Sequence, residues 1–205
     1  MNKPVHFAFI GPGGSGKSTW ANRLKDDFPG LQLYDQLNHT TRKMRAEEVS
    51  SGKSDYTHIT MSEYLVHKGN SNYISIREKD DGRDADGNIE QQYYGLSVPQ
   101  ANATIFVVDV PWYYQLLEWS RKTGEEIVWV FFSAPRDVCY QRMLSDSGET
   151  RADDRDRGYD ESMAFLQQNV WSLVVVDTGL PMSEGRMQLY TQIQQVILGQ
   201  TLLRD

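Results

Sequence analysis

Nine residues near the start of the chain, Gly11-Pro12-Gly13-Gly14-Ser15-Gly16-Lys17-Ser18-Thr19, have the types and spacing to hold a polyphosphate. They fit the pattern G-x-x-x-x-G-K-[ST]. Backbone N–H groups can surround an anion only where no side chain intrudes, and glycine also permits the positive φ angles such a loop needs. Lys17 then reaches the β- and γ-phosphates, and the Ser18 hydroxyl is placed to ligate Mg²⁺. The nucleotide this predicts is ATP, with Mg²⁺ as its companion ion.

Such a loop works only between a strand and a helix. Val5-His6-Phe7-Ala8-Phe9-Ile10 before it is short and mostly apolar, as a buried strand should be. After it Trp20, Leu24 and Phe28 recur every four residues, an apolar stripe on a helix whose positive end faces the anion. A chance glycine-rich turn would not bring strand, Lys-Ser-Thr and helix into one register.

The 205 residues allow one α/β domain with a substantial core, with 39% hydrophobic and 24% charged residues, ordinary for a globular protein. A net charge of −7 argues against broad affinity for nucleic acid or an anionic membrane, though not against a local basic cleft. Cys139 is the single cysteine, so no intramolecular disulfide forms, which suits a reducing cytoplasm. Its place beside Val138 reads as a packed thiol in a helix. Neither a signal peptide nor a membrane span is expected, since no apolar run approaches ~20 residues.

Leu31-Gln32-Leu33-Tyr34 reads as a second strand. From about 38 to 98 the chain turns polar, which predicts an inserted small subdomain. Within it Arg42 and Arg45, three residues apart, form either a solvated basic turn or a pair of guanidinium forks on one phosphate. Tyr73–Ile76 and Ile89–Gly95 read as paired strands around a solvated acidic loop from Lys79 to Asn88, whose positions do not fit a calcium loop. Thr104–Val108 is a core strand with Asp109 at its carboxyl end, where open α/β sheets bind ligands. That carboxylate holds a Mg²⁺-bound water or a substrate hydroxyl, or else caps the strand. Ile127–Phe132 and Leu173–Asp177 complete the core strands. Pro135 opens one helix. Pro181 precedes the last, with a stripe of Met187, Tyr190, Ile193 and Ile197. Ser145 to Gly158 mixes Arg151, Arg155 and Arg157 with aspartates and reads as a mobile segment, either solvated surface or a lid over ATP.

Taken together, the loop at Gly11–Thr19, the T-T-R-x-x-R-x-x-E stretch at Thr40–Glu48 with Asp55-Tyr56 after it, and Tyr93-Tyr94-Gly95 resemble the guanylate kinase family of nucleoside monophosphate kinases. Asp109-Val110 and the Ala134–Arg142 stretch extend the likeness over nearly the whole chain. The resemblance implies an α/β fold of the P-loop nucleoside monophosphate kinase type. A parallel core sheet flanked by helices (1–37, 99–144 and 159–205) would carry an inserted monophosphate-binding subdomain (38–98) and an arginine-bearing lid (145–158). By the same resemblance Asn38, Arg42, Arg45, Tyr56, Ser75, Tyr94 and Asp109 fall at substrate-binding positions. Arg142, Arg151 and Arg155 would join Lys17 in catalysis. Two departures stand out. Asn38 replaces a serine, and Ser75 replaces the glutamate that reads guanine, a part that Glu78 or Glu90 could take over from another position.

The expected activity is phosphoryl transfer from ATP to a small-molecule (deoxy)nucleoside monophosphate, with GMP or dGMP the leading acceptor. A different or modified base, as in a virus-encoded enzyme, is the alternative. Further alternatives are an interaction module without catalysis and a kinase acting on nucleotides within DNA.

Overall fold

The computed structural model describes residues 5–36, 38–44, 46–52, 54, 56–83, 89–101, 103–147 and 149–202. Strand β1 (Val5–Ile10) leads through the glycine-rich loop into α1 (Lys17–Asp27). β2 (Tyr34–Asp35), β3 (Asn38–Thr40), α2 (Ala46–Ser51), β4 (Tyr56–His58) and α3 (Met61–Gly69) follow. Then come β5 (Tyr73–Arg83), β6 (Ile89–Ser97), β7 (Thr104–Val107), α4 (Tyr113–Thr123) and β8 (Glu126–Ser133). The chain closes with α5 (Arg136–Ser147), α6 (Glu149–Asp156), α7 (Tyr159–Asn169), β9 (Val174–Asp177) and α8 (Met182–Leu202).

Two sheets result. The first is parallel throughout, in the order β2-β7-β1-β8-β9. Strand β1 lies in the middle, and the chain departs from it to β7 on one side and β8 on the other. That reversal opens a crevice at the carboxyl end of β1, where the glycine-rich loop begins. Both faces of the sheet are buried, so β1 is apolar almost throughout. Phe7 and Phe9 pack with Trp20 and Leu24 of α1 and Leu189 and Ile193 of α8. Ala8 and Ile10 point the other way, toward Leu116 of α4 and Phe165 of α7.

Residues 38–97 build the second sheet, in the order β4-β3-β6-β5. On its outer face Tyr64 of α3 is 1% exposed against Tyr73 and Tyr93. A capping box starts α3, with Thr60 and Glu63 bonding each other's backbone. Tyr73 lies flat over Gly95, where an added Cβ would come 2.3 Å from its ring, and this explains glycine after Tyr93-Tyr94. On the inner face Tyr94 and Leu96 belong to the same buried cluster as Ile10 and Phe106. One core therefore joins the two sheets.

Four sequence expectations are corrected. Leu31–Tyr34 is not a strand: Pro29–Leu31 makes a 3-10 turn, Gln32 takes φ 48°, and only Tyr34–Asp35 pairs with β7. Strand β5 runs on to Arg83, well into the segment read as a loop from Lys79; residues 84–88 lie outside the described ones. On α8, Met187 is 67% exposed while Leu189 is buried, so the inward face runs through Leu189 and Ile193. Ser145 to Gly158 is largely helical among its described residues, where an irregular run was expected. Arg136 donates to Asp156 and Asp160, and Tyr140 donates to Asp153, pinning α6 and α7 to α5. Its charges stay largely exposed, with Asp153 and Asp156 meeting partners 13 and 20 residues away.

His6 is fully buried in β1, with Nε2 2.7 Å from a Glu125 carboxylate oxygen. Burial drives its pKa below the ordinary 6.5, and Glu125 offsets this only in part. His39, half-buried in β3, is lowered too, first by burial and then by His67. A histidine kept neutral by the fold stabilises above its unfolded pKa and ceases to as pH falls through the folded value. Stability measured by urea unfolding should therefore decline from pH 7.5 to 5.5, and the decline should be smaller in His6→Leu. An unchanged pH slope in that variant would contradict the assignment.

Candidate functional site

One cleft of about 1840 Å³ runs between the carboxyl end of the parallel sheet and the inner face of the second sheet. A single drug-sized ligand needs roughly 300–1,000 Å³. This cleft has room for two.

The loop after β1 forms one end. Gly11, Gly14 and Gly16 have φ of 145°, 71° and 87°, so three of its glycines sit where other residues are strained. A Cβ on Gly14 would lie 2.2 Å from the Cys139 carbonyl oxygen, so α5 presses directly on the loop backbone. Thr178, just after β9, donates from Oγ1 to the Ser15 carbonyl at 2.9 Å. Arg142 donates to the Gly14 carbonyl at 3.3 Å and to Thr178 Oγ1 and its carbonyl at 3.2 and 2.8 Å. The loop is thus held from behind by α5 and the end of β9. Lys17 Nζ lies across its mouth, donating to the Gly11 and Pro12 carbonyls at 2.7 and 2.9 Å. Ser18 and Thr19, in the first turn of α1, also line the cleft.

No side chain caps α1. A missing N-cap costs about 1 kcal/mol, whereas burying Trp20 and Leu24 contributes about 1.5–3 kcal/mol each, so packing holds the helix. The first-turn N–H groups are left to point at an anion. Ser15 is fully buried, and its hydroxyl has no hydrogen-bond partner among the described residues.

Asp109 follows β7, next to the loop because β7 pairs with β1 through Phe9↔Val107. Its carbonyl starts the turn to Trp112, but its carboxylate makes no capping bond and is exposed in the cleft. The capping alternative therefore fails. Among the described residues no group of three or more His, Cys, Asp or Glu could enclose a metal. A Mg²⁺ ion fits only as Mg²⁺ commonly binds, through a hydroxyl such as Ser18, at most one nearby carboxylate, phosphate oxygens and water.

At the other end stand Asn38, Arg42, Tyr56 and Tyr94. Arg42 is 6% exposed and forks onto Glu48, with Nη1–Oε2 2.7 Å and Nη2–Oε1 2.8 Å. Burial works against its charge, but the bonds and charge of Glu48 outweigh it and hold its pKa above the ordinary value. Ser54 donates to Glu48, and His58 Nδ1 lies 2.7 Å from the Arg42 carbonyl. The Arg42 guanidinium lies over the Tyr56 ring at 5.7 Å, and Tyr56 meets Tyr94 edge to face. Among the described residues Arg42 Nε is buried without a partner, as is Asn38 Oδ1.

Neither reading of the arginine pair describes Arg42. It is no solvated turn residue, and its fork is filled by Glu48. Arg45 lies outside the described residues, as do Asp55 and the side chain of Arg151. Arg142 stands on α5 as a brace for the loop, outside the segment read as a lid. Arg155, on α6, is exposed and lines the cleft beside Gly13. Ser75 is half-buried but does not line the cleft. Glu78 points to the opposite face, bonded by Gln91 at 3.4 Å, and the Glu90 side chain lies outside the described residues. Sequence reasoning missed Arg77, Lys79, Gln92 and Trp112, which all line the cleft. The alternation of Arg77 and Lys79 along a strand was the available signal.

The arrangement can hold two anions at opposite ends of one cavity. Among the described residues seven Lys and Arg side chains face five carboxylates there, although the whole chain is acidic. Gly14→Ala should both lower Tm by several degrees and abolish triphosphate binding, since a left-handed residue costs about 1–2 kcal/mol before the clash with Cys139. Undiminished ATP affinity in that variant would show the loop is not the cradle.

No protein-family model matches the chain, and no curated protein matches it significantly. Among solved structures, the guanylate kinase of Anaplasma phagocytophilum aligns with 17% identity and a TM-score of 0.59, over 95% of this chain and 87% of that one. A gluconokinase from Sinorhizobium meliloti 1021 aligns with 13% identity and a TM-score of 0.48, over 97% and 99%. At 17% identity the likeness to the guanylate kinase is one of fold. The chain has the α/β architecture of a P-loop kinase, a parallel five-stranded sheet flanked by helices.

Proposed function

We propose that the protein transfers a phosphoryl group from ATP to the phosphate of a (deoxy)nucleoside monophosphate, giving two diphosphates. The observation that carries this reading is the two-ended cleft, with a main-chain cradle and Lys17 at one end and Arg42, Tyr56 and Tyr94 at the other. The guanylate kinase likeness in fold supports it.

Catalysis here is positioning and charge neutralisation. The amides of the Gly11–Gly16 loop and α1 fix the donor phosphates. Lys17 exchanges its loop carbonyls for phosphate oxygens. Ser18 and Asp109 would hold Mg²⁺, which when bound supplies charge on the donor phosphates. Arg42 places its positive charge at the acceptor end, and Glu48 keeps the guanidinium charged and oriented. No general base is required, since a phosphate monoester is largely ionised at pH 7. The acceptor oxygen attacks the γ-phosphorus and the bond to ADP breaks. Arg155 lies beside Gly13 to neutralise charge as this happens. Closure of the two ends excludes water that would otherwise hydrolyse ATP.

The reading extends to setting. Among the described residues no helix is long and apolar enough to cross a membrane. Cys139 is buried, and burial raises its pKa, so it is an inert thiol suited to a reducing cytoplasm.

Lys17→Ala should lower kcat roughly 10²–10³-fold with Tm nearly unchanged. Full turnover in a coupled ADP-release assay would contradict the scheme. Arg42→Ala removes the bidentate fork from the buried Glu48 and should lower stability measurably in urea unfolding. Arg42→Ala/Glu48→Ala should recover the stability but not the monophosphate KM. Recovery of both would make the pair purely structural. ATP binding with no transfer to any monophosphate would instead indicate a binding module.

A further inference from the structure

Beyond the two phosphate ends, the wall contributed by the second sheet is lined with donors. Arg77 and Lys79 of β5 lie opposite Tyr94 and Gln92 of β6, and all four face the cleft. The Arg77 guanidinium sits 5.6 Å from the Trp112 ring centre, and Lys79 Nζ 5.5 Å from that of Tyr94. Those ring contacts are the only interactions either cation makes among the described residues. Gln92 Oε1 accepts from the Tyr94 hydroxyl at 2.8 Å, which leaves its N–H₂ as the open end. No strand of this sheet presents a carboxylate to the cleft among the described residues. A ring face attracts a cation but leaves its in-plane N–H groups without acceptors. Half-buried donors with no acceptor favour a ligand that supplies oxygen.

We infer that this wall reads the acceptor's base by its carbonyl oxygens, so that the substrate class is the oxo bases of either ring size. The inference rests on the proposed monophosphate acceptor. A 6-oxopurine or 4-oxopyrimidine stacks by Trp112 and Tyr94 and turns its oxygen toward Arg77 and Lys79. Adenine or cytosine would bring an amino group, donor against donor. Among the described side chains of this sheet none is a carboxylate facing the cleft, so none of them reads the 2-amino group of guanine. The base is therefore selected by what it accepts, not by what it donates.

Calorimetric titration of the full chain, with Mg²⁺ and a non-hydrolysable ATP analogue, tests this with dGMP, dIMP, dTMP, dUMP, dAMP and dCMP. Oxo bases should bind roughly 10–100-fold tighter than amino bases. Loss of the 2-amino group, from dGMP to dIMP, should change affinity by no more than about threefold. Arg77→Glu should narrow or reverse the gap between dTMP and dCMP, and Arg77→Met should narrow it without reversal. Equal binding of oxo and amino bases by the unaltered protein would overturn the inference whether or not the variants fold. So would a uniform loss across all six in Arg77→Met, which would mark a general electrostatic effect. A parallel turnover assay separates the two claims. Oxo-selective binding without transfer would sink the phosphotransferase reading alone. Indiscriminate transfer would sink the base reading alone, and no monophosphate binding would sink both.

Discussion

The constraint on which everything else depends is that a loop of bare backbone amides must be held open. A chain free to relax would turn those N–H groups onto its own carbonyls. Here three elements prevent it. Strand β1 delivers the loop from the centre of a parallel sheet, α5 presses the Cys139 carbonyl against Gly14, and Thr178 grips the Ser15 carbonyl. The glycines are therefore needed for what lies behind the loop as much as for what lies in front of it. Arg142 belongs to the same brace, joining loop, α5 and the end of β9.

The opposite end is built on a different principle. Arg42 is not poised in solvent waiting for an anion. It is buried and charge-matched by Glu48, with Ser54 and His58 supporting the pair. Burying an ion pair contributes little net stability, because desolvation offsets attraction. What it does provide is a guanidinium of fixed orientation with one donor, Nε, left without a partner among the described residues. The second sheet shares a core cluster with the parallel sheet through Tyr94 and Leu96, which ties that orientation to the position of the loop.

Between the ends, α5, α6 and α7 are laced by Arg136 to Asp156 and Asp160. These contacts are exposed, so each contributes modestly and weakens with salt. They nevertheless keep Arg155 beside Gly13 on a helix. Any closure of this region is then a movement of helices on one another, not the ordering of a loose strand of chain.

The residues by themselves determined the phosphate loop, its strand and its helix. Loop, strand and helix together occupy about two dozen consecutive positions, and glycine, lysine and apolar spacing encode them directly. They also revealed the acidic balance and the inert cysteine. Only the tertiary structure decided that Arg42 spends its fork on Glu48 and that Arg142 braces the loop. It likewise decided that 145–158 is mostly helix and that β5 turns Arg77 and Lys79 inward while Glu78 faces out. The Arg142 brace and the facing of β5 depend on strand register or on a distant partner, and the Arg42 fork, though Glu48 is only six residues away, depends on how the turn between them folds. A one-residue slip in a strand exchanges its two faces, so which charges meet the ligand is settled by pairing across the sheet and not by the order of residues along β5.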